Sequence, residues 1–234
     1  MLYRVFNKLL ALQKPSQLAV DGGRLQAVGR EIWVADRELL LFGGLRLPIR
    51  MVVVRNESGD LLCYSPVALD EPTVEALAGI GEVRWVVAPN QHHTLFAADY
   101  LHRYPRAEAL DSRGCANFGV DACPVSLRSD FQELVIYHDL SETLIVSDLL
   151  FNIRAGDRRL EWLLRVNGAW QRAGHTRMQR LLLLRDRQAL ADFYRWALAR
   201  PFVQISMSHG QLIREDAREV FYQVFHRYLS GAEG

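Results

Sequence analysis

The chain has 234 residues, of which 50% are hydrophobic and 24% are charged, and its formal net charge is +1. A chain of this length can bury one sizeable core. Its small net charge creates no overall field that would favour nucleic acid or acidic substrates. No apolar run reaches the roughly 18 residues that a membrane-spanning helix needs, so we expect one soluble domain without membrane contact.

The N-terminal segment and the cysteines point to the cytoplasm. The segment MLYRVFNKLLALQK is amphipathic and is interrupted by Arg4 and Lys8, whereas a signal peptide has a continuous apolar core. Cys63, Cys115 and Cys123 show no C-x-x-C spacing, which argues against a disulfide framework and a structural zinc site. Cys115 and Cys123 fall in a Gly- and Asn-containing stretch that we expect to be a loop, where both thiols could be exposed.

Two hairpins are predicted from runs of β-branched and aromatic residues that are joined by turn sequences. In the first, NESGD separates residues 51–55 from residues 61–65, and such a polar, Gly-containing turn is typical of a β-hairpin. In the second, ELVIYH and TLIVSDLL are joined by a turn through residues 139–142. EIWVAD and EVRWVVAPN are further predicted strands.

Helices are predicted from capping residues and from apolar spacing. Asp70 can cap a helix that carries Pro72 in its first turn and stops at Gly79 and Gly81. Residues 94–104 form a second predicted helix. Apolar residues recur with helical spacing in RRLEWLLRVNG, RDRQALADFYRWALARP and QLIREDAREVFYQVFHRYLSG. Strands and helices in this arrangement favour a layered α/β architecture.

Arginine is concentrated in residues 154–187, which contain nine arginines against Asp157, Glu161 and Asp186. A face that binds phosphate or nucleic acid is one interpretation. The other is that arginine stems cover apolar surface on solvated helices. The scarcity of interleaved aromatic residues favours the second interpretation and argues against a nucleic-acid partner.

Polar side chains follow three predicted strands at the point where each strand ends. Asn90, His92 and His93 follow VRWVV, Asp148 follows TLIVS, and His209 follows FVQISMS. Functional groups gather at strand ends in α/β proteins. Neutral imidazoles with a carboxylate suit zinc, iron or manganese, so these five residues are the candidate metal ligands.

Other polar residues are assigned structural roles. His138 lies at the turn end of the second hairpin, about 15 Å from Asp148 at ~3.3 Å per residue, which is too far to share a metal. His175 is expected on the surface of the arginine-rich segment. Ser65 has no base beside it in the sequence, and no G-x-S-x-G elbow, P-loop or G-x-G-x-x-G occurs.

The chain resembles the metallo-β-lactamase superfamily. It is most similar to a little-characterised branch that shares RMVVVR, SPVALD, VAPNQHH and TLIVSDLL. The resemblance covers residues 30–155 well and rests on MSHGQLI towards the C-terminus. It implies one domain over residues 1–234 with a four-layer αββα sandwich, an N-terminal extension at 1–25 and a helical insertion at 155–200. Active members of the superfamily bind one or two metals at one edge of the sandwich.

The metal motif of the superfamily, Thr-His-x-His-x-Asp-His, is degenerate in this chain. Placed on PNQHHTL, it puts Asn90 at the first histidine position and His92 at the second. Thr94 stands where the aspartate belongs, and Leu95 stands where the last histidine belongs. Neither can replace the residue that is missing.

The later ligand positions are better preserved. Asp148 matches the metal-bridging aspartate of the superfamily, although Ser147 replaces the glycine that usually precedes it. His209, before a glycine, matches the last metal histidine. The loop expected to carry another histidine reads SLRSDF, in which Asp130 is the candidate substitute.

These residues leave two main hypotheses open. In the first, the protein is a divergent, hydrolase-like protein with at most one divalent metal, held by His92, Asp148 and His209 with His93 or Asn90 adjacent. Ester, thioester and phosphodiester bonds all fit the superfamily. In the second, these side chains hydrogen-bond one another without a metal, and an inactive relative binds a small molecule or a protein through the cleft. A metal-dependent oxidoreductase ranks last, and no catalytic residue or oligomeric state is assigned.

Overall fold

The computed structural model of the protein describes residues 24–41 and 44–231. The expected N-terminal extension, 1–25, lies outside the described residues except for Arg24 and Leu25. The strands, in chain order, are β1 (Gln26–Gly29), β2 (Ile32–Leu40), β3 (Arg46–Arg55), β4 (Asp60–Tyr64), β5 (Glu82–Val87), β6 (Glu108–Ala109), β7 (Asp121–Arg128), β8 (Phe131–His138), β9 (Thr143–Val146) and β10 (Gln204–Met207). The helices are α1 (Glu71–Ala78), α2 (Ala97–Arg103), α3 (Ser112–Phe118), α4 (Arg158–Val166), α5 (Arg177–Leu182), α6 (Arg187–Leu198) and α7 (Ala217–Ser230).

The strands form two sheets. The first has the order β1-β2-β3-β4-β5-β6, and the second has the order β10-β9-β8-β7. Most neighbours are antiparallel, but β4, β5 and β6 run parallel in the first sheet, as do β9 and β10 in the second. In the part of the chain that the structure describes, no helix is long and apolar enough to cross a membrane.

Both predicted hairpins are confirmed. β3 and β4 pair antiparallel from Val52↔Tyr64 to Arg55↔Leu61. β8 and β9 pair antiparallel, with the pair His138↔Thr143 nearest the turn. The short polar turns set the registers, because the loop length of a hairpin fixes which residues lie opposite each other.

The predicted helices are also present, and side-chain caps mark where several of them begin. The last begins at Ala217, inside the predicted run that starts at Gln211, and has no side-chain cap. The Asp70 carboxylate accepts a hydrogen bond from the Thr73 backbone N–H, and Gly79 ends α1. The helix predicted at 94–104 begins later, at Ala97. Within 155–200, side chains of Asp157, Thr176 and Asp186 cap α4, α5 and α6.

The expectation of an exposed loop around two cysteines is wrong. Asp111 caps α3, and Gly119 ends it in a left-handed conformation with φ of 94°. Cys115 lies on this short helix and is buried, while Cys123 lies in β7 and is half-buried. Burial raises the pKa of both thiols to about 11, so neither is an activated nucleophile at neutral pH.

The two sheets pack face to face and each is covered by helices on its outer side. In β3, Val52 and Val54 join the core between the sheets, whereas Met51 and Val53 pack with residues of α1 and α2. The outer face of the second sheet packs against α6 and α7, where Phe193, Phe221 and Phe225 are buried. This alternation confirms the predicted αββα layers.

Arginines of the segment 154–187 are bound largely within the protein. Arg154 and Arg177 donate to the backbone carbonyls of Gln171 and Val166. Arg165 pairs with Glu161 one helical turn away, at 2.7 Å. These contacts support a structural role for the segment, in which guanidinium groups satisfy loop and helix-end carbonyls.

His175 is buried, so its expected place on the surface is wrong. The ring packs edge-on against Phe225 and Tyr228, with centroids 4.9 and 5.4 Å away. Burial, with the nearby Arg180 charge, lowers the pKa of His175 to about 3. The bend between α4 and α5 carries this histidine into the core beside α7.

Acid should therefore destabilise the protein through His175. The unfolded chain binds a proton near pH 6.5 and the folded ring only near pH 3, so the free energy of unfolding should fall as pH decreases through this window. The slope from this group approaches about 1.4 kcal/mol per pH unit. Chemical denaturation from pH 7 to pH 4 should show a shallower loss for His175→Phe than for the natural protein.

The matched control is His102→Phe, which alters an exposed histidine on α2 and should leave the slope unchanged. His138, whose pKa burial lowers to about 4, acts in the same direction and will retain part of the slope. An unchanged pH dependence in His175→Phe would contradict the assignment.

Candidate metal centre

Polar residues from five strand ends meet at one edge of the sandwich. Because β4 and β5 are parallel, and β9 and β10 are parallel, their carboxyl ends coincide within each sheet. Ser65 follows β4, residues 90–93 follow β5, Asp148 follows β9 and His209 follows β10. β8 runs antiparallel to β9 and brings its first residues to the same edge.

The Asp148 carboxylate lies at the centre of this group. His93 Nε2 lies 3.4 Å from its Oδ2, and His209 Nε2 lies 3.3 Å from its Oδ1. His92 Nδ1 is 3.7 Å from Oδ2, and the Asn90 amide donates to Oδ2 at 2.9 Å. The structure therefore brings together all five residues that the sequence marked.

Three of these residues form a compact set. Among the described residues, ligand atoms of His93, Asp148 and His209 all lie within 4.8 Å of one another. His93 thus stands where the sequence analysis expected His92. The reason is the turn after β5, in which the His92 backbone N–H donates to Asn90 Oδ1 and the His93 N–H to the Asn90 carbonyl.

Hydrogen bonds on the far side orient both histidines of the compact set. His209 Nδ1 lies 2.9 Å from the carbonyl oxygen of Pro48, which can only accept, so Nδ1 carries the hydrogen. The other ring nitrogen, Nε2, faces Asp148 Oδ1 at 3.3 Å and would be the atom that a metal between them contacts. His93 Nδ1 lies 2.8 Å from Ser65 Oγ, which can donate or accept, so His93 can adopt the same tautomer.

Glu133, at the start of β8, holds the Asp148 turn in place. It is fully buried, and its two carboxylate oxygens accept from the backbone N–H groups of Ser147 and Asp148, each at 2.7 Å. On the other side, the Gln179 amide donates to the Asp148 backbone carbonyl. These contacts fix the backbone of Asp148, and the fixed backbone directs its carboxylate into the site.

The site concentrates charge in a buried environment. Burial raises the pKa of Glu133 above its usual value, and the neighbouring Asp148 charge adds to the rise, while the backbone N–H groups of Ser147 and Asp148 favour the carboxylate and oppose it. Burial alone would also raise the pKa of Asp148. The His93 charge and hydrogen bonds from His209, His92 and His93 outweigh it and hold that pKa well below its usual value.

Sequence reasoning missed Ser65, Glu133 and Gln179. Ser65 does have an imidazole beside it, but His93 lies 28 residues away in the chain. Glu133 carried a readable signal, because an acid inside the apolar run FQELVIYH must find partners when the strand is buried. Gln179 showed only the capping pattern with Thr176.

The remaining candidates lie outside the compact set. Asp130 pairs with Arg128 in the turn between β7 and β8. His138 Nδ1 lies 2.7 Å from Ser141 Oγ at the turn end of the β8–β9 hairpin, as its register predicted. Thr94 donates to the Gln91 carbonyl, and Leu95 lines a cavity beside the site.

This cavity, of about 250 Å³, opens from the histidines and Asp148. Its other walls come from β2, β3, α4 and α5 and are mainly aliphatic. We call it the leucine cavity. Its described lining residues are Leu39, Leu41, Leu45, Leu47, Ile49, Ser65, Pro66, His92, His93, Leu95, Phe96, Asp148, Phe151, Ile153, Leu160, Leu163, Leu164, Asn167, Thr176, Met178, Gln179, Leu182, Leu183 and His209.

The architecture is the metallo-β-lactamase fold. The mono-zinc form of the metallo-β-lactamase FIM-1 from Pseudomonas aeruginosa superposes with a TM-score of 0.56 at 13% identity, over 92% of this chain and 98% of that one. The metal-soaked Flv1 flavodiiron core from Synechocystis sp. PCC6803 gives 0.58 at 12% identity, over 91% of this chain. This chain spans 62% of that flavodiiron core.

A putative diflavin flavoprotein A 5 fragment from Nostoc sp. PCC 7120 superposes with a TM-score of 0.64 at 10% identity, over 92% of this chain and 96% of the fragment. At the level of sequence, residues 30–122 match the family described as Domain of unknown function (DUF4336). The matched range contains Asn90, His92 and His93 and stops before Asp148 and His209. No curated protein matches the sequence.

Replacing Glu133 should destabilise the protein strongly. In Glu133→Gln, the amide NH₂ would face a backbone N–H that the carboxylate now satisfies, leaving a buried donor without an acceptor. We expect a loss of about 1–3 kcal/mol in the free energy of unfolding, measured by urea denaturation.

The control is Gln132→Ala, an exposed neighbour on the same strand, which should change the free energy of unfolding by less than about 0.5 kcal/mol. Equal stability of the two variants would show that Glu133 does not hold the Asp148 turn.

Proposed function

We propose that the protein is a hydrolase-like member of the metallo-β-lactamase fold whose incomplete site binds at most one divalent metal. His93, Asp148 and His209 would hold the metal, with His92 and Asn90 beside it. The observation that carries the proposal is the placement of two imidazole Nε2 atoms on either side of one carboxylate, at 3.3 and 3.4 Å.

The donor types suit a metal, and each imidazole lies at a ligand-like distance from Asp148. Two ligands bound at about 2.1 Å to a tetrahedral ion lie about 3.4 Å apart; His93 Nε2 is 3.4 Å from Oδ2 and His209 Nε2 is 3.3 Å from Oδ1, and the whole set lies within 4.8 Å. The Nδ1 contacts to Pro48 and Ser65 are the outer hydrogen bonds that orient ligating histidines. Two imidazoles and one carboxylate leave positions open and suit zinc, iron or manganese.

The chain's own residues would bind and orient a substrate at this edge. A bound divalent metal supplies a Lewis acid that polarises a carbonyl or phosphoryl oxygen and makes water more acidic. The Asn90 amide, fixed on Asp148, keeps the carboxylate in one rotamer. The leucine cavity excludes water from one side of the reacting group. Hydrolysis of an ester, thioester or phosphodiester bond is the reaction class that follows.

The alternative is an inactive relative that binds a small molecule or a protein partner through the same cleft. One observation favours it: the Asn90 amide already occupies a lone pair of Asp148 Oδ2, at 2.9 Å. Thr94 and Leu95 supply neither a base nor a fourth ligand. In this alternative, hydrogen bonds among the polar residues satisfy the buried carboxylate without a metal.

Metal analysis separates the two functions. Protein purified without chelator, then titrated with Zn²⁺, Fe²⁺ or Mn²⁺, should bind a single equivalent by calorimetry and elemental analysis. His93→Ala and His209→Ala should each weaken metal binding more than about a hundredfold. Removing a residue that only orients a ligand typically lowers metal affinity about 10–100-fold, and removing the ligand itself should cost more. His92→Ala should weaken metal binding less than His93→Ala.

The exposed His102→Ala serves as the control and should bind metal as the natural protein does. Folded protein that stays metal-free with excess of all three ions would exclude the metal proposal and favour the inactive alternative. A larger loss in His92→Ala than in His93→Ala would return the ligand role to His92.

Ser65 should act as a positioning residue for His93. Removing its hydroxyl in Ser65→Ala leaves His93 Nδ1 without the partner at 2.8 Å, so metal affinity should fall about 10–100-fold. Ser65→Asn keeps a hydrogen-bonding side chain and tolerates the left-handed backbone of this position, φ 55°, so it should recover part of the affinity. Calorimetric metal titration measures both, and an unchanged affinity in Ser65→Ala would contradict the positioning role.

A further inference from the structure

The leucine cavity and the candidate metal centre are one continuous space. His93, Asp148 and His209 line the same cavity as side chains from β2, β3, α4 and α5. A ligand that fills the cavity would therefore end at the polar cluster. Such a ligand needs a polar end and an apolar remainder, because one wall of the cavity is ionic and the others are aliphatic.

The strands form one aliphatic wall. Leu39 and Leu47 are directly opposite on the antiparallel strands β2 and β3, and Ile49 lies two residues further along β3. Side chains that are opposite or two apart project from the same face of a sheet. All three line the cavity. The alternating apolar residues of β2 and β3 therefore form a wall of this cavity and not only a part of the core between the sheets.

The helices form the opposing wall. Leu160, Leu163 and Leu164 of α4 lie at i, i+3 and i+4 and share one helix face. Met178 and Leu182 of α5 complete this side. An apolar void of this kind is costly when unfilled, because its lining loses dispersion contacts and offers water no partners.

Charge discriminates between the bonds that the site could hydrolyse. No lysine or arginine is among the described residues that line the cavity. A phosphodiester would carry its negative charge into this space without an arginine or lysine to pair with it, whereas a carboxylic ester or thioester is neutral. The cavity thus matches an uncharged acyl group.

We propose that the ligand is a carboxylic ester or thioester whose unbranched hydrocarbon acyl chain occupies the leucine cavity, with its carbonyl at His93, Asp148 and His209. The location of the carbonyl rests on the proposed function, while the binding of the chain does not. In hydrolysis, water adds to the acyl carbon and the bond to oxygen or sulfur breaks. A fatty acid and an alcohol or thiol form, and no oxidant or reductant is needed.

Chain binding can be measured without the metal. Calorimetric titration of the metal-free protein with n-alkanols from butanol to decanol should show affinity rising about fourfold per added methylene. The rise should stop at the length that fills the cavity. Affinity that does not depend on chain length, or no binding at all, would overturn the proposal.

Variants locate the chain. Leu163→Asp places a charge in the cavity from a half-buried helix position and should abolish the chain-length dependence. Leu163→Trp fills the space and should shorten the longest alkanol accepted, which keeps the test valid if the charged variant fails to fold. Leu140→Asp, at a residue 40% exposed beside the β8–β9 turn, should bind alkanols as the natural protein does.

Ester hydrolysis tests the substrate class independently of alkanol binding. With metal bound, p-nitrophenyl esters should be hydrolysed with kcat/KM rising from acetate to octanoate, and bis(p-nitrophenyl) phosphate should be a poor substrate. Preference for the phosphodiester would overturn the proposed substrate class. Chain-dependent alkanol binding by a protein that refuses metal would leave the acyl cavity standing and remove the proposed hydrolase function.

Discussion

A buried carboxylate that must be partnered is the constraint on which the candidate site depends. Asp148 retains its charge inside the protein because histidines and an asparagine surround it, and removing those partners would leave an uncompensated buried charge. Glu133 and Gln179 fix the backbone beneath it. Asn90 and His93 follow a strand of the first sheet, and Asp148 follows a strand of the second, so the site exists only when the two sheets pack together.

The positions of the residues at this edge depend on strand pairing within each sheet and on packing between the two sheets. The parallel pairs β4–β5 and β9–β10 bring their carboxyl ends together, one pair in each sheet. The packed core between the sheets, which includes Val52, Tyr64 and Ile145, sets the distance between those ends. The spacing of His93, Asp148 and His209 thus depends on close packing away from these residues, where side chains resist displacement.

Asn90 and Leu95, which stand at two positions of the degenerate motif, both have defined places at this edge. Asn90 now donates a hydrogen bond to the carboxylate, and Leu95 joins a mainly aliphatic cavity. The edge therefore places a polar cluster and a mainly aliphatic wall side by side, which is the combination that small-molecule sites use to orient and to bury a ligand.

Local signals in the sequence determined most of the elements. Turn residues between β-branched runs predicted both hairpins, a capping residue predicted the helix at Asp70, and helical spacing predicted the later helices, because these signals act over a few residues. The capping signals around Cys115 were overlooked. Asp111 begins α3 and Gly119 ends it, where the sequence analysis expected a loop. His175 was misplaced because burial depends on contacts with α7, which no local pattern shows.

The sequence by itself determined a layered α/β protein and five polar residues at strand ends, and the αββα order of the layers came from the family resemblance. Only the tertiary structure decided how they are used: that His93 joins Asp148 and His209 in the compact set, that Ser65 and Pro48 orient the two histidines, and that Glu133 supports the turn. Each of these contacts joins residues far apart in the chain. Their distances follow from the packing of two sheets and not from spacing along the sequence.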